Sequence, residues 1–170
     1  MIRKVGLAVA AMAWAGLCGA RAASTAGELE FEAMVEGEQK GFAPKHVAAV
    51  WIEDAEGRFV RTLVVRGLKQ NKRLEAWRAA SSGVMTDVVT GPTFTDWGKL
   101  SATWDGKDAA GKPVPDGEYK VRAESVWWNG TGPQIPGVKF EKGSKAAMPD
   151  VPDAGAFKDI FVSWKPAGPT

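Results

Sequence analysis

The chain has 170 residues, a quarter of them charged, with 22 basic side chains against 20 acidic ones. That length suits one domain with an adequate core and no covalent staples, and no dense Lys/Arg run is present to track a phosphate backbone. A single cysteine, Cys18, and a single histidine, His46, leave disulfide frameworks, thiolate metal sites and multi-histidine metal centres without their residues.

Arg3 and Lys4 precede an apolar run from Val5 to Leu17, and Ala20-Arg21-Ala22 follows with the small-x-small pattern of a signal-peptidase site. The pattern predicts a secretory leader over 1–22 and a mature chain opening at Ala23. The apolar run is shorter than the roughly 20 residues of a membrane-spanning helix. Cys18 follows Leu17, where a lipoprotein cut requires a small residue, so it leaves with the leader. Loss of Arg3, Lys4 and Arg21 leaves 19 basic and 20 acidic residues, a net charge of −1. The basic isoelectric point belongs to the precursor and carries no argument for nucleic acid.

In the remaining 23–170, read as one domain, Leu29, Phe31, Ala33 and Val35 alternate with glutamates, the two-residue period of a strand with one acidic face. Outward charge of that kind suits a sheet edge. Val47–Ile52, VAAVWI, is apolar throughout, as in a central strand covered on both faces. Asp54-Ala55-Glu56-Gly57 makes a hairpin turn into Phe59–Val65. Alternation there puts Phe59, Arg61, Leu63 and Val65 on one side and Val60, Thr62 and Val64 on the other. Over Lys69–Ala80 the period changes, and Leu74 and Trp77 predict a short helix over one end of the sheets. Thr86–Lys99 reads as a crossing loop.

Leu100, Ala102 and Trp104 begin the most informative stretch, a strand that runs into Asp105-Gly106, Gly111, Pro113, Pro115 and Asp116-Gly117 before Tyr119, Val121 and Ala123 form the next strand. The unit is strand, structured polar loop, strand. Gly117 is expected at positive φ, bringing the Tyr119 ring inward with its hydroxyl on a backbone carbonyl or a loop polar group. A loop over Asn129–Pro133, a short strand at Val138–Phe140, a surface excursion over Ala146–Ala156 and a closing strand at Phe157–Trp164 complete the chain. The element count predicts an all-β, immunoglobulin-like sandwich of about seven antiparallel strands with one short helix.

The string WDGKDAAGKPVPDGEY, from Trp104 to Tyr119, resembles the WDG…PDGxY signature of the immunoglobulin-like domain of bacterial flagellar hook-capping proteins. Upstream, VWIEDAEGRFVRTL from Val50 to Leu63 resembles a family of predicted periplasmic bacterial proteins of unknown function, which carries the same block ahead of a WDG-type unit. Together the two matches span about Lys45 to Glu124. The resemblance implies an exported β-sandwich and brings no established chemistry.

Candidate sites are few. His46 opens a strand after Pro44-Lys45, without a nucleophile elbow or companion histidines, so a structural or rim position leads and a metal or haem ligand comes second. Asp105, Asp108 and Asp116 lack the spacing of a calcium loop, and turn-capping explains Asp105 and Asp116 without a cation. Of the tryptophans, Trp51, Trp104 and Trp164 read as core and Trp77 as the plug of the helix. One of Trp127 and Trp128 is expected outward, since neighbours in a strand point to opposite faces, and Trp97 in the crossing loop is a second candidate for exposure, with core or rim packing the leading reading for all three. Trp51, Trp104, Asp105, Gly106, Gly111, Asp116, Gly117 and Tyr119 are assigned to turns and core. His46, Trp97, Trp127 and Trp128 form the candidate partner or ligand surface. The reading is a non-catalytic periplasmic module with an envelope protein partner, no cofactor and no nucleic acid. The alternative is a ligand-binding module for a metal, haem or glycan, using His46 or exposed tryptophans.

Overall fold

The computed structural model describes residues 22–36, 46–82, 89–91, 98–127 and 132–168. Two sheets face one another. Sheet I has the order β5-β1-β8, from β1 (Gly27–Val35), β5 (Lys99–Trp104) and β8 (Phe157–Pro166), all antiparallel. Sheet II has the order β4-β3-β2-β6-β7, from β2 (His46–Asp54), β3 (Phe59–Arg66), β4 (Val89–Gly91), β6 (Gly117–Trp127) and β7 (Gln134–Lys142). Only the three-residue β4 runs parallel to its neighbour, so the body is a seven-stranded antiparallel sandwich, as its turn-rich sequence predicts.

The main core lies between the sheets. Leu29, Phe31, Leu100, Trp104, Val162 and Trp164 of sheet I meet Val50, Ile52, Tyr119, Val121, Ala123 and Phe140 of sheet II. The Trp104 indole sits 5.3 Å from the Tyr119 ring, 6.1 Å from Phe140 and 6.2 Å from Trp164, centroid to centroid. A buried ring of this size withdraws about 150–250 Å² from water, worth roughly 4–6 kcal/mol before ordering costs. β2 is central, and its continuous apolar run is used on both faces. Ala48, Val50 and Ile52 enter the main core, while Val47, Ala49 and Trp51 join Val65, Leu74, Trp77 and Val126 in a second cluster on the outer face of sheet II.

That second cluster corrects the helix prediction. The segment is a 3-10 turn, Leu68–Arg73, followed after Leu74 by α1 (Glu75–Ser81), and it covers a face of sheet II instead of an end of the sandwich. The strand β1 is not at an edge: β5 and β8 flank it. Its glutamates point off the outer face, where Lys99 and Lys165 of the flanking strands pair with Glu32 and Glu30. In β3 the simple alternation fails. The register passes from Val50 opposite Val64 to Trp51 opposite Thr62, so Leu63 is an extra residue. Leu63 and Val64 both enter the main core, and Thr62 turns outward to accept the Trp77 indole N–H at 2.8 Å. The short strand expected at Val138–Phe140 is the nine-residue β7, in which Pro136 and Gly137 interrupt the pattern beside a register shift.

Candidate functional site

The Asp105–Asp116 loop is stitched from inside. Asp108 Oδ1 accepts the amides of Ala110 and Lys112, the Val114 amide donates to the Gly106 carbonyl, and Trp104 Nε1 donates to the Lys107 carbonyl at 2.7 Å. Asp105 pairs with Lys107 and Arg61. Gly117 has φ +150, and two residues on the Tyr119 hydroxyl donates to the Pro115 carbonyl at 2.7 Å, with the ring buried.

An N-terminal strap is tied to this loop. The Asp116 amide donates to the Ala23 carbonyl, the Ser24 hydroxyl to the Val114 carbonyl, and the Thr25 amide and hydroxyl to Asp116 Oδ1 and Oδ2 at 2.7 and 2.6 Å. Asp116 Oδ1 also takes the ammonium of Lys142 at 2.8 Å. Lys142 is fully buried, with its Nζ 5.5 Å from the centre of the Trp164 ring. Gly106 makes its passage possible: at φ +74, a Cβ there would stand 2.9 Å from Lys142 Cε. Burial opposes the charge of Asp116, but the bonds from Lys142 and Thr25 outweigh it and hold the carboxyl at about 2.

Two buried carboxylates sit on the outer side of sheet II. Glu53 accepts the Trp51 indole N–H at 2.8 Å and an Arg122 guanidinium bond at 3.3 Å, with Arg122 lying over the Trp51 ring. Glu124 accepts the Trp77 and Ala76 amides at the start of α1 at 2.9 and 3.3 Å, and burial pushes its carboxyl upward against those bonds. α1 has no side-chain cap of its own; Glu124 supplies that function from β6.

Among the described residues, the sandwich stays open between β5 and β3. A groove of about 420 Å³ is floored by Phe31, Leu63, Val64 and Ala102 and rimmed by Glu30, Glu32, Ser101 and Thr103. It continues into a space of about 250 Å³ beside Glu28, Arg61 and Asp105. The Arg61–Asp105 pair closes one end, and Arg66 donating to the Lys99 carbonyl at 3.3 Å closes the other. Val35 N–H donates to the Gly98 carbonyl, which fixes the ladder phase between β1 and β5. Antiparallel pairs alternate, so Lys99, Ser101 and Thr103 turn their N–H and C=O groups away from β1. Among the described residues, no strand pairs with that edge of β5.

The candidate surface named from sequence is only partly placed. His46 and Trp127 are register partners at one end of the β2–β6 ladder; their side chains, and Trp97 and Trp128 altogether, lie outside what is described. Trp51 lies in the outer-face cluster and Trp104 in the main core. Asp105, Asp108 and Asp116 are not brought together as ligands: each serves its own turn or ion pair, and no three of His, Cys, Asp and Glu converge among the described residues. Lys142, Glu53, Glu124 and the β5 edge were not anticipated. Lys142 had a signal, since it continues the inward alternation of Val138 and Phe140. Glu124 had none, because only the helix packed over it buries it.

Among the described residues, fold and groove together define an all-β sandwich with an open flank between β3 and β5. The chain belongs to the family described as predicted periplasmic protein (DUF2271), whose profile matches residues 28–147. That span covers both resembling blocks and stops before β8. The family description places the chain in the periplasm, and no helix among the described residues is long and apolar enough to cross a membrane. No curated protein and no solved structure matches the chain.

Proposed function

We propose that the protein is an exported, non-catalytic accessory module of the periplasm that acts by holding an envelope protein partner. The observation that supports this reading is the edge of β5, unpaired among the described residues, which presents the outward backbone groups of Ser101 and Thr103 above an apolar groove. A strand edge in this state is a template for another chain, and adding a strand to it gives affinity through main-chain bonds. In the same reading the leader over 1–22 is removed on export. The Trp104–Tyr119 unit is then akin to the immunoglobulin-like domain of hook-capping proteins, a likeness resting on its WDG and PDGEY strings.

The test is photo-crosslinking in intact cells, with benzoylphenylalanine placed at Ser101, at Thr103 and, as a control, at Glu56 in the exposed β2–β3 turn. Ser101 and Thr103 are expected to yield one discrete adduct containing the same envelope protein, and Glu56 none. No adduct from either β5 position, or the same adduct from Glu56, refutes the reading.

A further inference from the structure

Resting on that reading, we infer that the β5 edge takes a basic extended segment, which pairs with Ser101 and Thr103 and alternates apolar residues toward the groove with lysine or arginine on the outer face. Geometry sets the alternation. An added strand places every second side chain between the sheets, over Phe31, Leu63, Val64 and Ala102. The groove of about 420 Å³ suits a few aliphatic side chains. Side chains on the other face pass over Ser101 and Thr103, the register partners of Glu32 and Glu30. Both cover residues are short, so only a long side chain spans them to reach the glutamates on β1.

Charge sets the class. Glu28, Glu30, Glu32 and Asp105 stand along the groove against Arg61, Lys99 and, at its far end, Arg66. Glu30 and Glu32 each pair through one oxygen, to Lys165 and Lys99, and their side chains are 39% and 41% exposed, so both retain acceptor capacity toward an incoming cation. Exposed pairs of this kind are weak and exchange readily. A second copy of this chain would bring the same carboxylates edge to edge, which disfavours self-pairing.

The probes are three fluorescent heptapeptides titrated by anisotropy against the exported protein: alternating lysine–valine, alternating glutamate–valine, and the lysine–valine peptide N-methylated along one edge. The lysine–valine peptide is expected to bind, more weakly as salt rises, and the other two to bind at least about tenfold more weakly. Ser101→Pro and Thr103→Pro remove outward N–H groups without touching the β1 ladder, a placement proline tolerates on an edge strand. Each is expected to lower affinity about tenfold or more, while Glu56→Ala in the exposed β2–β3 turn leaves it unchanged. Glu30→Gln with Glu32→Gln is expected to flatten the salt dependence.

Equal binding of the glutamate peptide overturns the basic class, and undiminished binding of the N-methylated peptide overturns strand addition even if the proline variants do not fold. No peptide binding while cells still give the Ser101 adduct overturns this inference and leaves the proposed function standing. Loss of the adduct removes both.

Discussion

Replacing Asp116 with Asn (D116N) removes a charge and little else, because Asn keeps the shape of the side chain and one carbonyl oxygen for Thr25. Its partner then decides the outcome. Lys142 is fully buried, whereas the Asp116 side chain is 22% exposed. D116N therefore strands an ammonium with no water to turn to, and breaking a buried pair in that way costs about 3–5 kcal/mol. Lys142→Met (K142M) keeps the stem packed against Trp164 and Gly106. It strands only a carboxylate that is partly wet and still holds two donors from Thr25. The gap between about 2 and the ordinary carboxyl value near 3.9 corresponds to about 2.5 kcal/mol, and partial exposure screens some of it. K142M is expected to cost about 1–3 kcal/mol. Because the folded-state value lies below the unfolded one, this stabilisation is complete above about pH 5 and is lost as pH falls toward 2. Urea denaturation followed by tryptophan fluorescence, from pH 7 down to pH 3, checks both the ranking and the acid limb. D116N should also flatten that limb. K142M costing as much as D116N, or an acid limb unchanged in D116N, would refute the assignment of the buried cation as the costly member.

Glu124→Gln (E124Q) leaves one acceptor for two helix amides, so hydrogen exchange over Glu75–Ser81 should speed up while the β2 and β6 amides stay protected. Burial raises the Glu124 carboxyl, so its ionised form weakens the fold. This group's contribution to stability should grow as pH drops from neutral toward its ordinary value of 4.5, a rise absent in E124Q. Trp104→Ala empties the centre of the aromatic cluster and should cost about 3–5 kcal/mol in chemical denaturation; a loss below about 1 would place the indole outside the core. Gly117→Val meets no atom within 4 Å, so its expected cost of about 1 kcal/mol or more is purely backbone strain at φ +150, readable as a shift in the urea midpoint. Intact mass of protein from the periplasm is expected to begin at Ala23, and a lipid on Cys18 would contradict the leader assignment.

Local chemistry carried much of the fold. VAAVWI announced a strand covered on both faces, and the PDGEY string carried the turn, the inward ring and a hydroxyl with a nearby acceptor, which the structure shows to be the Pro115 carbonyl. Period-2 reading failed where one inserted residue, Leu63, reversed the faces of half a strand, and no composition signal marks such an insertion. It also misplaced β1. A row of glutamates reports which face is wet, and it says nothing of whether strands lie on either side. The helix was located but not its seat, because the seat depends on Glu124 and Thr62, which become inward partners only once Trp77 covers them. The β5 edge was invisible for a related reason: which backbone groups face outward is set by ladder phase, a property of paired strands.

The pairing of β1 with β8 also orders events in time. The Lys165–Glu30 contact joins positions 135 residues apart. Hairpins β2–β3 and β6–β7 are available early, but sheet I waits for the last strand, and closing so long a loop is slow. A chain still threading through a membrane channel cannot complete this sandwich, because β1 keeps one flank bare until β8 emerges.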